Sequence, residues 1–247
     1  MNKLLEIKNL SKNYNTKLGE IKAIDNISFD VYDQEFLCII GSSGCGKSTL
    51  LNILADLDNF SSGKIIKNKN LKIGYMLQDD CLLPWLNILD NALLGLDIMN
   101  LKTKENINYV KGLLKKYGLE EFLEKYPNQL SGGMRQRVAL IRTLAIKPDI
   151  LLLDEPFSAL DYMSRLVVSE DVANIIKQEK KTVIMITHDI AEALSLADRI
   201  IVLSKRPAVI KNIYNINLEG NSPLSRRKAK NFAYYYDLLW KDLDKNV

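Results

Sequence analysis

The sequence predicts an α/β fold built on a parallel sheet, and two observations carry the prediction. Aliphatic runs at Phe36 to Ile40, Ile150 to Leu153, Val183 to Thr187 and Ile200 to Leu203 are too continuously apolar to keep a wet face, so they read as central strands. Between them apolar residues recur at three- and four-residue spacing, over Lys47 to Leu57, Lys104 to Tyr117, Gly132 to Ile146 and Met163 to Lys180, which marks helices with one buried stripe. Strand then helix, repeated, is the pattern of an α/β sheet.

Taken in order, Leu4 to Ile7 and Ile27 to Val31 supply further strands, ahead of the central ones. Gly118 closes the Lys104 helix and Pro148 stops the Gly132 helix. From Asp79 to Gln129 there are helical patterns and no convincing strand, so a helical subdomain is expected over residues 79–146. The sheet core then falls on 1–78 and 147–220, and a short helical tail on 221–247. In that tail Arg226, Arg227, Lys228 and Lys230 read as a solvated basic turn. Phe232, Tyr236, Leu239 and Leu243 follow at the spacing of a packed amphipathic helix, with a lipid- or partner-binding helix as the alternative.

Composition bounds the function. The chain has 247 residues, 47% hydrophobic and 26% charged, enough for a well-filled core. Lys and Arg exceed Asp and Glu by only 34 − 30 = 4, too little to demand nucleic acid or anionic lipid as a partner. No apolar run approaches the ~18 residues of a membrane span, and Glu6 interrupts the start where an export signal would be apolar, so a cytoplasmic protein is expected. The three cysteines, Cys38, Cys45 and Cys81, have no metal or disulfide spacing and read as reduced thiols, while the single histidine, His188, needs its own explanation.

Gly41-Ser42-Ser43-Gly44-Cys45-Gly46-Lys47-Ser48-Thr49 follows an apolar strand and opens a helix, the context that makes GxxxxGK[ST] a phosphate cradle. Glycines let backbone N–H groups curl round an anion, and the helix start adds partial positive charge. Lys47 is expected at the β- and γ-phosphates of ATP, and Ser48 on Mg²⁺. A second strand, Ile150 to Leu153, runs into Asp154 and Glu155, two acids where a core would tolerate neither without a cation or a reaction. Asp154 suits the Mg²⁺ shell, and Glu155 suits a water aimed at the γ-phosphate, an N-capping acid being the plain alternative. His188 ends a third apolar strand at the same sheet edge, within reach of that phosphate.

Leu130-Ser131-Gly132-Gly133-Met134-Arg135-Gln136-Arg137 fits LSGGxxQR, and with the two nucleotide motifs the chain resembles an ABC ATPase from Tyr14 to His188. The resemblance implies a P-loop NTPase core, a RecA-like parallel sheet flanked by helices, with an antiparallel β subdomain and an inserted α-helical one. It implies a homodimer in which Ser131, Gly132 and Gly133 of one copy close on the ATP held by the other. By the same resemblance Tyr14 stacks on adenine, Gln78 links Mg²⁺ and the attacking water to a permease, and Asp161, in Ser158-Ala159-Leu160-Asp161, sits at the dimer seam.

Asp79-Asp80-Cys81-Leu82-Leu83-Pro84-Trp85, with Asn87 and Asn91, is similar to importers of the nitrate, sulfonate, taurine and thiamine-precursor type. That implies transmembrane permease subunits, an extracytoplasmic substrate-binding protein acting indirectly, and a place on the cytoplasmic face of the membrane. Leu82 to Trp85 then either meets the permease or packs under the helical subdomain. Two departures stand out: only thirty residues separate Lys47 from Gln78, so the antiparallel hairpin expected around Gly63 to Met76 is trimmed, and Asp56 stands where glycine is commoner. The rivals are a soluble ABC ATPase of the iron-sulphur assembly type, without a permease, and a nucleotide-binding regulator without turnover. Intact Asp154, Glu155 and His188 speak against the latter. Cys45, inside the cradle, is expected to lose nucleotide binding on alkylation.

Overall fold

The structure is a computed structural model and describes residues 2–17, 19–68 and 71–244. β1 (Lys3–Thr16) and β2 (Gly19–Tyr32) pair antiparallel. Leu5 and Ile7 face inward by the period of two. A register shift then intervenes, with Asn9 at φ +50°, and it turns Leu10 inward too. β3 (Phe36–Ile40) is buried along its whole length and feeds the glycine loop, after which α1 (Lys47–Leu54) begins. This helix stops three residues before its apolar periodicity does. Asp56 has φ +58°, the left-handed turn that ends helices and favours glycine, and its carboxylate pairs with Lys67. The unusual Asp56 therefore occupies a glycine's conformation and anchors it by charge.

β4 (Ser62–Lys67) joins the far side of β1, giving a three-stranded antiparallel sheet in the order β2-β1-β4. β5 (Ile73–Met76) instead lies parallel to β6 (Ile150–Asp154) in a different sheet. The hairpin expected around Gly63 to Met76 is thus corrected: its two strands enter separate sheets, and residues 69 and 70 between them lie outside the described residues.

α2 (Ile88–Ile98), α3 (Lys104–Lys116) and α4 (Gly132–Ala145) form the helical part, with side-chain caps from Asn87, Thr103 and Ser131. Residues 79–129 contain no strand, as expected, and Gly118, at φ +73°, follows the end of α3. The chain then returns through β6, α5 (Tyr162–Gln178), β7 (Thr182–Thr187), α6 (Ile190–Leu196), β8 (Arg199–Leu203) and β9 (Ile210–Asn215). α7 (Pro223–Arg226) and α8 (Phe232–Asp244) complete it.

The main sheet has the order β5-β6-β7-β3-β8-β9, parallel except for β9 at its edge. Alternate residues of its strands fill two cores. Leu37, Ile39, Leu152 and Ile186 pack with α1 and the three-stranded sheet. Cys38, Ile40, Leu151 and Leu153 pack with the helices on the other face. α8 is a packed amphipathic helix, Leu239 being wholly buried. The basic turn is less solvated than expected, because half-buried Arg226 donates to the Ala197 carbonyl. β3, β7 and β6 are neighbours, so Gly41, His188 and Glu155, the residues that follow them, emerge together at one edge of the sheet.

Candidate nucleotide site

The glycine loop is shaped by its glycines and held from beneath. Gly46 takes φ +126°, and a Cβ there would lie 3.0 Å from the Ala23 carbonyl oxygen, so only glycine brings the loop this close to β2. Lys47 is buried, and its ammonium donates to the carbonyls of Gly41 (2.8 Å) and Ser42 (3.1 Å), which fixes the charge at the mouth of the loop. Cys45 corrects an expectation. Its thiol is 1% exposed, and burial pushes its pKa up, so it belongs to the core beneath the loop and is a poor target for alkylation. Its amide donates to Ser42 at 3.3 Å.

At the end of β6, Asp154 Oδ1 accepts from the Ser48 hydroxyl (3.4 Å) and Oδ2 from Tyr75 (3.2 Å). Burial raises the Asp154 pKa, and these two hydrogen bonds oppose the rise. Tyr75, on β5, was not foreseen as a site residue. Its hydroxyl also reaches Asn52 (3.1 Å), and burial beside Asp154 holds it firmly in the phenol form. Glu155 has φ +43°, a conformation that costs a non-glycine residue of order 1 kcal/mol or more. The turn brings Glu155 Oε2 to 2.9 Å from His188 Nδ1. His188 is otherwise exposed, and Gln78 Nε2 donates to Ser158 Oγ at 3.4 Å.

These elements border one cleft of about 640 Å³, within the range of small-molecule sites. It is lined by Ser43, Gly44 and Gly46 to Thr49 of the loop, and by Tyr14, Gln78 and Glu155. Tyr14 donates to Asp58 Oδ2 (2.7 Å) and carries the Lys12 ammonium 4.6 Å from its ring centroid, so its ring is fixed on the cleft wall. Gly41, Ser42 and Cys45 continue the loop, Asp154 adjoins through Ser48, and His188 through Glu155. Residues that sequence reasoning missed complete the lining: Asn15, Thr16, Ile21 and Ala23 from β1 and β2, and Arg206 from beyond β8.

The cradle, the acid pair and the histidine of one cleft agree with what comparison with known proteins finds. The family model described as ABC transporter matches residues 24–158. The chain belongs to the ABC transporter family. An ABC transporter ATP-binding protein of Methanocaldococcus jannaschii is 44% identical over 95% of this chain and 90% of its own length. The bicarbonate transport ATP-binding protein CmpD of Synechococcus elongatus is 40% identical over 97% of this chain and 89% of its own. Among solved structures, the dimeric post-hydrolysis state of an ATP-binding cassette bound to ADP and Pi is 34% identical, with a TM-score of 0.73, covering 87% of this chain and 99% of that one. The protein is accordingly an ATP-hydrolysing ABC transporter subunit of P-loop NTPase fold, closely related to nitrate-, sulfonate- and bicarbonate-type importer ATPases.

In this ABC ATPase the signature segment lies apart from the cleft. Ser131, Gly132, Gly133 and Asp161 are not among the described residues that line it. Ser131 caps α4 by accepting from Met134 N–H (3.3 Å), and Asp161 caps α5 by accepting from Met163 and Ser164 (3.1 Å each). A hydrogen bond from the Ser164 side chain first, then the backbone N–H bonds, lower the Asp161 pKa. The importer-like segment splits in two. Leu82 is buried and Leu83 partly so, whereas Trp85 is 70% exposed. Buried Asn91 organises the loop: it accepts from Leu83 N–H (2.7 Å) and donates to the carbonyls of Leu83, Leu86 and Asn87. Among the described residues no helix is long and apolar enough to cross a membrane.

Proposed function

We propose that this ABC ATPase works as a head-to-tail homodimer, peripheral to the cytoplasmic face of the membrane, and drives a separate permease. The cargo class is a small anion or vitamin precursor. The relatives named for bicarbonate, nitrate and aliphatic sulfonates support an anion, and exposed Trp85 suits a permease contact. The observation that carries the reading is the separation of the cleft from Ser131 to Gly133. A second serine-capped helix start, not among the described residues that line its own chain's cleft, fits a phosphate supplied by another copy.

Within each cleft the loop amides and Lys47 bind the phosphates, and Tyr14 packs on adenine. The donor set suits Mg²⁺: a buried carboxylate beside a hydroxyl, Asp154 and Ser48, with Gln78 on the same wall, all hard oxygen ligands. When bound, the metal would neutralise charge on the β- and γ-phosphate oxygens. Glu155 takes a proton from a water whose oxygen attacks the γ-phosphorus. The bond to the bridging oxygen breaks, and ADP leaves with that electron pair. His188 donates from Nδ1 to Glu155 and so orients the base beside the γ-phosphate. The remaining catalytic work is positioning.

The test is the dependence of ATPase rate on protein concentration, with Ser131→Arg beside the unaltered chain. Expected is a rate per chain that rises with concentration and falls by about 100-fold or more in Ser131→Arg, while ATP binding to the isolated chain stays within about threefold. A rate per chain indifferent to concentration and to Ser131→Arg would remove the shared site.

A further inference from the structure

The cleft contains a second cation that belongs to none of the sequence motifs. Arg206 sits in the turn between β8 and β9 and lines the cleft. Its guanidinium is solvent-exposed and donates to the Gly44 carbonyl through Nη2 (3.0 Å) and Nε (3.3 Å). Among the described residues no carboxylate pairs with it, so none of them neutralises its charge. Two hydrogen bonds to one neutral carbonyl leave most of an arginine's five donors unused.

The turn that carries it is built as a platform. Ser204 pairs with Val209 in both directions at 2.9 Å, using its backbone N–H and its hydroxyl, and the hydroxyl also meets the Pro207 carbonyl at 2.9 Å. Ala208 N–H donates to Ala23, and Asp25 N–H to Ala208, each at 2.9 Å, which locks the turn to β2. A Cβ on Gly46 would lie 3.5 Å from the Ala208 Cβ, so the same turn packs against the base of the phosphate loop. Such restraint is unneeded for a solvated surface arginine and suits one that must hold a fixed position.

We propose that Arg206 is a nucleotide-binding residue: it braces the phosphate loop through Gly44 and presents a fixed positive charge to the polyphosphate of ATP, in addition to that of Lys47. Planar guanidinium groups pair with phosphate oxygens through two parallel donors, and an exposed arginine already oriented loses little side-chain entropy in doing so. The proposal rests on the nucleotide reading of the cleft. Arg206 acts on binding and not on the hydrolytic step, which falls to Glu155.

The experiment compares Mg·ATP and Mg·ADP binding by calorimetry, at low and high salt, for the unaltered chain, Arg206→Gln and Arg206→Lys. Glutamine keeps an N–H donor for Gly44 without the charge, and lysine keeps the charge. Expected for Arg206→Gln is about tenfold weaker binding of both nucleotides with a shallower salt dependence, and recovery to within about threefold in Arg206→Lys. KM for ATP should rise in the same proportion in Arg206→Gln, with kcat at saturation within about twofold. Binding by Arg206→Gln within twofold of the unaltered chain at both salt concentrations would leave Arg206 as a brace on Gly44 alone and overturn the proposal. Failure of the unaltered chain to bind Mg·ATP would instead overturn the nucleotide reading itself.

Discussion

Two serine- and glycine-rich turns in this chain each open a helix, and they differ in what their glycines do. In the turn before α1, Gly44 and Gly46 adopt positive φ, the loop curls over its own cations, and a cleft lies in front of it. In the turn before α4, the glycines are spent on packing. A Cβ on Gly133 would come within 2.8 Å of Val168 and one on Gly132 within 3.1 Å of Leu160, so α4 and α5 approach as closely as glycine allows. One turn is a whole phosphate cradle. The other is a helix start with an exposed serine that is not among the described residues lining the cleft, which fits half of the shared site proposed above.

The largest expected effect tests the first turn's neighbourhood. Glu155→Gln should lower ATP turnover by about 10²- to 10⁴-fold, as loss of a general base does, while Mg·ATP binding persists and an ATP-bound dimer accumulates on size exclusion. Unchanged steady-state hydrolysis would take the base away from Glu155. Next come the glycines themselves. Gly46→Ala should abolish detectable nucleotide binding in the cleft, whereas Gly133→Ala should keep binding and lose about 1–3 kcal/mol of stability in denaturant melts, by overpacking against Val168. If both variants lost binding alike, the two turns would not be separate devices.

The smallest effect concerns the sheet edge beside the cradle. Burial raises the Glu192 pKa from 4.5 to about 7, and the Thr187 hydroxyl, which bonds its carboxylate, opposes the rise. The folded chain therefore holds this proton more tightly than the unfolded one. Its contribution to stability is full below pH 4.5, fades as pH rises toward 7 and is gone above that. Glu192→Gln, neutral throughout, should gain on the unaltered chain between pH 5 and pH 8 by up to about 3 kcal/mol. Parallel melting curves across that interval would show that Glu192 is not the titrating group.

Much of the fold could be read because β3, β6, β7 and β8 are continuously apolar, a pattern with few structural solutions. β9 was missed since its two isoleucines, Ile210 and Ile213, are three residues apart and give no strand alternation, and α6 since seven residues give too little periodicity. β5 is four residues long, and nothing in Ile73 to Met76 says which sheet it joins. Lys47, Ser48, Asp154, Glu155 and His188 could be named from sequence because each stands in a local pattern, the first two at a helix start and the others at strand ends. Tyr75 and Arg206 were not. Arg206 meets Gly44 across 162 residues of sequence, and contacts of that span leave no local trace. Asn87 and Asn91, noticed as marks of an importer, prove to be a helix cap and a buried loop organiser.

Arg135 grips Asp80 at 2.9 Å, and Arg142 reaches the carbonyls of Asp80 (2.6 Å) and Cys81 (2.7 Å), so α4 is bolted to the stretch that follows Gln78. On the proposed reading, these bonds would carry a push arriving at Trp85 into α4, the helix that Ser131 caps. On the head-to-tail pairing proposed above, contact at Trp85 of one copy would bear on the ATP seated in its twin, so that neither copy would fire on its own contacts alone.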